Sequence, residues 1–146
     1  MHPPCRKHPF ERRNQHAACD ELRDLVLGNY EKEGAGKVLE VVKNTYSHQE
    51  GAIVVGTDPN EWFEGYDAIL HFYEPFGSSR LEIKVKILKA YPEGSVGWTV
   101  DQVMVRLPNG AKLPMRHARV FHREDGVWKC VLNNISIAVP NESAGA

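Results

Sequence analysis

After Arg80 the spacing of apolar residues in this chain changes. Leu81, Ile83, Val85 and Ile87 alternate with Glu82, Lys84 and Lys86, and only an extended strand with one wet and one dry face converts that pattern into burial. No other feature restricts the fold as much, because a sheet with a dry face must have that face covered. Ser95 to Leu107 continues the strand character, with Val96, Trp98 and Val100 in one phase and Val103, Val105 and Leu107 in the other. This change of phase predicts a β-bulge near Asp101 and Gln102. Lys112 to Arg123 and Val127 to Val139 supply two more strands, joined at Glu124-Asp125-Gly126. Sequential strands with short turns form an antiparallel meander.

The first half reads as helix. Leu22, Leu25, Val26 and Tyr30 recur at helical spacing behind Asp20, a candidate cap, and Gly34-Ala-Gly36 interrupts them. Val38, Leu39, Val42 and Tyr46 resume the stripe as a second helix. Ala52 to Val55, between Gly51 and Gly56, suits a short buried strand, and Asp58-Pro59-Asn60 turns the chain. Tyr66, Ile69, Leu70 and Tyr73 give a third helix, which Pro75 stops. Three helices ahead of such a sheet make an α+β domain in which the helices cover one sheet face. A chain of 146 residues has room for one such core. The domain is placed at residues 16–142, behind a basic arm (1–15) carrying Arg6, Lys7, Arg12 and Arg13 among three prolines, and ahead of a tail (143–146).

Several function classes fall away. With 18 Lys and Arg against 19 Asp and Glu, the net charge of -1 gives no positive field to gather nucleic acid or an anionic membrane. No apolar run approaches the roughly 20 residues that span a bilayer, and Met1 to Phe10 lacks the apolar stretch of a secretory signal. The expected compartment is the cytoplasm. Cys5, Cys19 and Cys130 show no C-x-x-C spacing and read as free thiols, and the seven histidines form no metal-ligand pattern. Gly34-Ala-Gly36-Lys37 fails as a phosphate loop, because Glu31 and Val38 stand where Gly and Ser or Thr are needed. It fails as a dinucleotide fingerprint at Leu39. Neither a metal nor a cofactor is expected.

One constellation follows from hairpin geometry. Leu107-Pro-Asn-Gly110 fits a turn with Pro second and Gly at positive φ, so that Leu107 pairs with Ala111. Counting back sets Val105 against Leu113, Val103 against Met115, and Asp101 against His117 on the dry face. In the next hairpin a two-residue turn sets Asn134 opposite His117, and a three-residue turn sets Asn133 there. A carboxylate beside an imidazole in a core has its pKa raised by burial and lowered by its neighbour, and such a pair can move protons near neutral pH. The same pair also serves simply to satisfy two buried polar groups. Trp62, Phe63, Tyr66 and Trp98 either wall a pocket for an apolar ring or pack the core. Arg116 and Arg119 fall on opposite faces of their strand, so at least one is solvated, and His71 reads as a surface residue.

The stretches Val55-Gly-Thr-Asp-Pro-Asn-Glu-Trp-Phe-Glu-Gly65, Val96-Gly-Trp98, Asp125-Gly-Val-Trp-Lys129 on to Ser136, and Val139-Pro-Asn-Glu142 resemble the SnoaL-like members of the nuclear transport factor 2-like superfamily, over residues 17–142. The resemblance implies a cone-shaped α+β barrel: three N-terminal helices packed in a strongly curved antiparallel sheet, with a deep pocket at the open end. It implies pairing of two copies through the sheet as a homodimer. Members include ketosteroid isomerase, scytalone dehydratase, limonene epoxide hydrolase and polyketide cyclases, beside binding and assembly domains, so the fold does not fix the chemistry. The chain departs from the pattern in its last strand, where Asn134-Ile-Ser136 replaces His-x-Ser, and at Ala118, where Thr is frequent. An Asn carries no proton at neutral pH, so the chain has either lost a base there or recruited Asp101 and His117 instead.

These readings give a small-molecule pocket protein performing cofactor-independent proton transfer of isomerase, cyclase or dehydratase type on a hydrophobic ketone or cyclic substrate. Asp101 is the base, His117 orients or relays, Asn134 donates to a developing oxyanion, and Trp62, Tyr66 and Trp98 hold the ring. The alternative is a non-catalytic ligand-binding or dimerisation module of the same fold. A third reading assigns partner capture to the basic arm.

Overall fold

The computed structural model describes residues 20–144; the basic arm, Cys5, Cys19 and the last two residues of the tail lie outside the described residues. Helices α1 (Asp20–Gly34) and α2 (Val38–Thr45) come first, followed by strands β1 (Ile53–Val55) and β2 (Trp62–Glu64) and helix α3 (Tyr66–Tyr73). Strands β3 (Glu82–Glu93), β4 (Val96–Arg106), β5 (Lys112–Glu124) and β6 (Val127–Ile137) form the meander, and the one-turn α4 (Asn141–Ala144) follows it. The six strands make one curved sheet in the order β2-β1-β6-β5-β4-β3. It is mixed rather than purely antiparallel, because β1 runs parallel to β6, with Val54 beside Asn133. The pairing of β1 with β2 was not legible in the sequence, where the three residues of β2 fall between a turn and a helix and are assigned to no element.

The helices form where the apolar spacing places them. Leu22, Val26 and Tyr30 bury one face of α1 against the sheet. The helix ends in a Schellman motif, with Lys37 N–H donating to Lys32 O (2.9 Å), Gly36 N–H donating to Glu33 O (3.1 Å) and Gly36 at φ 80°. This tight stop lets α2 start at once and pack Val38, Val41 and Val42 inward. Gly97 sets how close α1 comes to the sheet: a Cβ there would lie 2.8 Å from Leu22 Cδ2. Any side chain at that crossing would force Leu22 to shift.

The predicted bulge belongs to a different strand. Gly97, Thr99, Asp101, Val103 and Val105 alternate inward without interruption along β4. The irregularity lies across the ladder in β3, between Val85 and Ile87, opposite Val103 and Gln102. Ile87 is therefore turned outward and 52% exposed, while Leu88 and Ala90 take over the inner face. A second bulge sits in β6 between Cys130 and Leu132, where Phe121 pairs with Cys130 but Val120 pairs with Leu132. Among the described residues no helix is long and apolar enough to cross a membrane.

Candidate functional site

The hairpin between β4 and β5 forms as its sequence dictates. Gly110 N–H donates to Leu107 O (2.9 Å), Leu107 N–H donates to Ala111 O (2.8 Å), and Gly110 has φ 87°. From that turn the register runs unbroken through Val105–Leu113 and Val103–Met115 to Asp101–His117. Both side chains point inward and are buried. His117 Nδ1–H donates to Asp101 Oδ1 at 2.9 Å.

Two residues complete the cluster. Arg119, two positions beyond His117 and so on the same face of β5, donates from Nη1 to Asp101 Oδ2 (2.5 Å) and from Nη2 to the Tyr30 hydroxyl (2.9 Å). Tyr30 comes down from α1 and donates its O–H to Asp101 Oδ2 at 2.8 Å, with the oxygen 3.0 Å from His117 Nδ1. An ionised carboxylate only accepts, so this network assigns the His117 proton to Nδ1 and leaves a lone pair on Nε2. Nε2 has no hydrogen-bond partner among the described residues.

The charges follow from the same contacts. Burial pushes the Asp101 carboxyl up, but the His117 hydrogen bond and the Arg119 charge outweigh it and hold the group below the usual carboxylate range. His117 is pushed below the usual imidazole value by burial and by Arg119, against the opposing pull of Asp101. It is neutral at pH 7. Burial works against the guanidinium of Arg119, yet Tyr30 and Asp101 raise its pKa well above the ordinary value. Burial keeps Tyr30 a phenol.

Beside this cluster, between the helices and the sheet, is a cavity of about 140 Å³. Its walls are mainly apolar, with Val26, Val42, Ile83, Val105, Met115 and Phe121 among them. Tyr30, His117 and Arg119 also line it, whereas Asp101 lies behind them and does not. Glu33, one turn beyond Tyr30 on the same face of α1, faces the cavity, and burial pushes its carboxyl up to about 7. Arg119 lowers and Asp101 raises that value by smaller amounts. Asn133, 2% exposed, lies opposite Arg119 and lines the cavity as well. Its Nδ2–H donates to the Tyr46 hydroxyl (2.9 Å), which contacts the Tyr73 hydroxyl (3.1 Å), while its Oδ1 has no partner among the described residues.

The proposed ligand-binding residues are not gathered here. Asn134 pairs with Ala118 and is exposed on the outer face of the sheet. The turn does have the two residues Asp125 and Gly126, both at positive φ, with Glu124 paired to Val127. The bulge at Val131 then shifts the register by one, bringing Ile135 opposite His117 and Asn133 inward. Trp62 is 62% exposed on β2, Tyr66 stacks on His48 (3.7 Å between centroids), and Trp98 lies on the outer face stacked with Tyr91 (6.1 Å). None of these four lines the cavity. Of the two arginines, Arg116 is outside, bonded to Gln102 (3.1 Å), and Arg119 is inside. His71 is exposed beside Glu74, at 3.4 Å. Cys130 is a buried free thiol donating to Leu132 O at 3.3 Å. Among the described residues no group of His, Cys, Asp and Glu is arranged to hold a metal ion.

Sequence reasoning missed Glu33, left Asn133 open as the alternative to Asn134, gave Arg119 no role in the site, and read Tyr30 as core only. For Glu33 a signal existed: it sits seven residues after Val26 and three after Tyr30, on the apolar stripe itself.

The SnoaL-like domain family matches residues 39–140. No curated protein matches the chain. Among solved structures, an NTF2-like protein of unknown function from Pseudomonas putida KT2440 superposes with a TM-score of 0.72 at 13% identity, covering 85% of this chain and 89% of that one. An uncharacterised protein with a cystatin-like fold from Caulobacter vibrioides gives 0.66 at 13%, covering 86% and 94%. Nuclear transport factor 2 from Cryptosporidium parvum gives 0.65 at 13%, covering 82% and 94%. At these identities the likeness is one of fold, and it is the cone expected from the sequence.

Proposed function

We propose, from the premise that the chain belongs to the SnoaL-like domain family of the nuclear transport factor 2-like superfamily, that it is a small-molecule pocket protein catalysing cofactor-independent proton transfer on a hydrophobic ketone or cyclic substrate. The observation that carries this reading is the split between the two nitrogens of His117. Nδ1 is tied to a buried carboxylate at 2.9 Å, and the unpartnered Nε2 belongs to a ring that lines an apolar cavity.

The roles differ from those the sequence suggested. Asp101 accepts from His117, Arg119 and Tyr30 and has no face on the cavity, so it positions the imidazole instead of acting as the base. His117 Nε2 takes a proton from the carbon next to the carbonyl: the C–H bond breaks, an N–H bond forms, and the electron pair moves into the enolate. The protonated fraction of Glu33, on the same wall, donates a hydrogen bond to the developing oxyanion. Return of the proton from Nε2 to another carbon or to oxygen closes the cycle, and no redox step or cofactor enters.

Deuterium uptake by cyclohexanone in D2O, followed by proton NMR, tests this. The expected result is exchange faster than in buffer, lowered by at least ~100-fold in His117→Gln and by at least ~10-fold in Asp101→Asn, within the range general-base groups contribute. A bound ketone that exchanges no faster than in buffer would leave a non-catalytic binder.

The outer face of the sheet supports a second element of the reading: pairing of two copies. Val96, Val100 and Leu132 sit there exposed beside Trp98, more apolar surface than a solvated face needs.

A further inference from the structure

The cavity's size and its hydrogen-bonding inventory together narrow what it takes. An engineered apolar cavity of about 150 Å³ accepts one benzene, and the space here is about 140 Å³. The space matches a single ring. The polar atoms along the wall are short of donors from the ligand. Among the described residues Asn133 Oδ1 is buried with no partner, Nε2 of His117 presents a lone pair, and the Glu33 carboxyl accepts from no group. The positive charge on the wall, Arg119, is already matched by Asp101 at 2.5 Å, so nothing is left to balance an anionic ligand next to Glu33. A buried acceptor left unpaired is costly, and a hydroxyl on the ring removes that cost for the acceptor it donates to.

We infer that the ligand of this cavity is a neutral single-ring molecule carrying a hydrogen-bond-donating hydroxyl: a phenol, or the enol form of a cyclic ketone. The inference rests on the reading of this cavity as the substrate site and narrows its substrate class. The enol hydroxyl is the group whose proton Nε2 would exchange with the ring carbon.

The test is calorimetric titration of the full chain with phenol, anisole, benzoate and 2-naphthol. One saturable site for phenol is expected, with anisole, benzoate and 2-naphthol each at least tenfold weaker. Anisole binding as well as phenol overturns the donor requirement, benzoate binding best overturns neutrality, 2-naphthol binding as well as phenol overturns the single-ring limit, and silence from all four overturns the cavity as a ligand site. In Asn133→Leu the preference for phenol over anisole should fall below threefold. If that variant does not fold by circular dichroism, Glu33→Leu at the cavity wall should narrow the preference at least threefold instead. An unchanged preference in whichever variant folds overturns the assignment. Phenol binding by a chain that leaves cyclohexanone unexchanged would remove the proton-transfer reading while the ligand class stands.

Discussion

Asp101 and Glu33 are both carboxyls close to Arg119, and their surroundings drive them in opposite directions. Asp101 is held below the usual range because the hydrogen bond from His117 and the charge of Arg119 outweigh its burial. Its stabilising contribution is present above the unfolded carboxyl value and is lost as the pH falls through the lower folded one. Glu33 has burial without donors and rises to about 7 from an ordinary 4.5. The folded chain therefore holds a proton there that the unfolded chain has released, and stability declines as the pH climbs from 4.5 towards 7. Glu33→Gln should then stabilise the protein at pH 8 by about 1–2 kcal/mol, a figure reduced for the partial solvent contact of the group, and change little at pH 4. Urea unfolding at the two pH values checks this; equal effects at both would mean that ionisation of Glu33 costs the fold nothing. A group that weakens the fold at neutral pH and faces a cavity is of the kind found at working sites.

At the level of elements, the turns and the helices were legible and the bulges were not. Pro108, Asn109 and Gly110 fix their turn through local conformational preference, so the Asp101–His117 register could be counted from it. A bulge is set by the fit between two strands, and neither Val131 nor the Val85–Ile87 segment carries Gly or Pro to mark it. That single register step in β6 exchanged Asn134 for Asn133 and was invisible to counting. The placement of Glu33 and Tyr30 over the sheet depends on how closely α1 approaches β4, and Gly97 sets that distance. Gly97→Val should push Leu22 away, cost about 2–3 kcal/mol by overpacking, and draw Tyr30 from Asp101. Loss of stability in urea, together with a changed His117 titration by NMR, is the expected outcome. A variant with wild-type stability and titration would show that the helix tolerates the added side chain.

Across the whole molecule, the one misplaced bulge and the proposed dimer have a common origin. Val96, Trp98 and Val100 looked like a dry face in the sequence, yet they lie on the outer surface, in the opposite phase to Thr99, Asp101 and Val103 inside. A strand reads as apolar on both faces when both are covered, so in the proposed dimer the apparent change of phase marks where the partner's cover begins. Val100 pairs with Ala118, and next to it Trp98, Val120 and Leu132 line up across β4, β5 and β6, with Ile87 nearby on β3. If two chains meet there, the sheet is packed on both sides, and the cavity inside each cone is braced by its partner. Val100 is 50% exposed in the single chain, so Val100→Lys should leave the fold within about 0.5 kcal/mol of the parent while placing two like charges in the shared face. Light scattering after gel filtration should give twice the chain mass for the parent and the chain mass for Val100→Lys. A parent that elutes as a single chain at micromolar concentration would show that this apolar face is left to solvent.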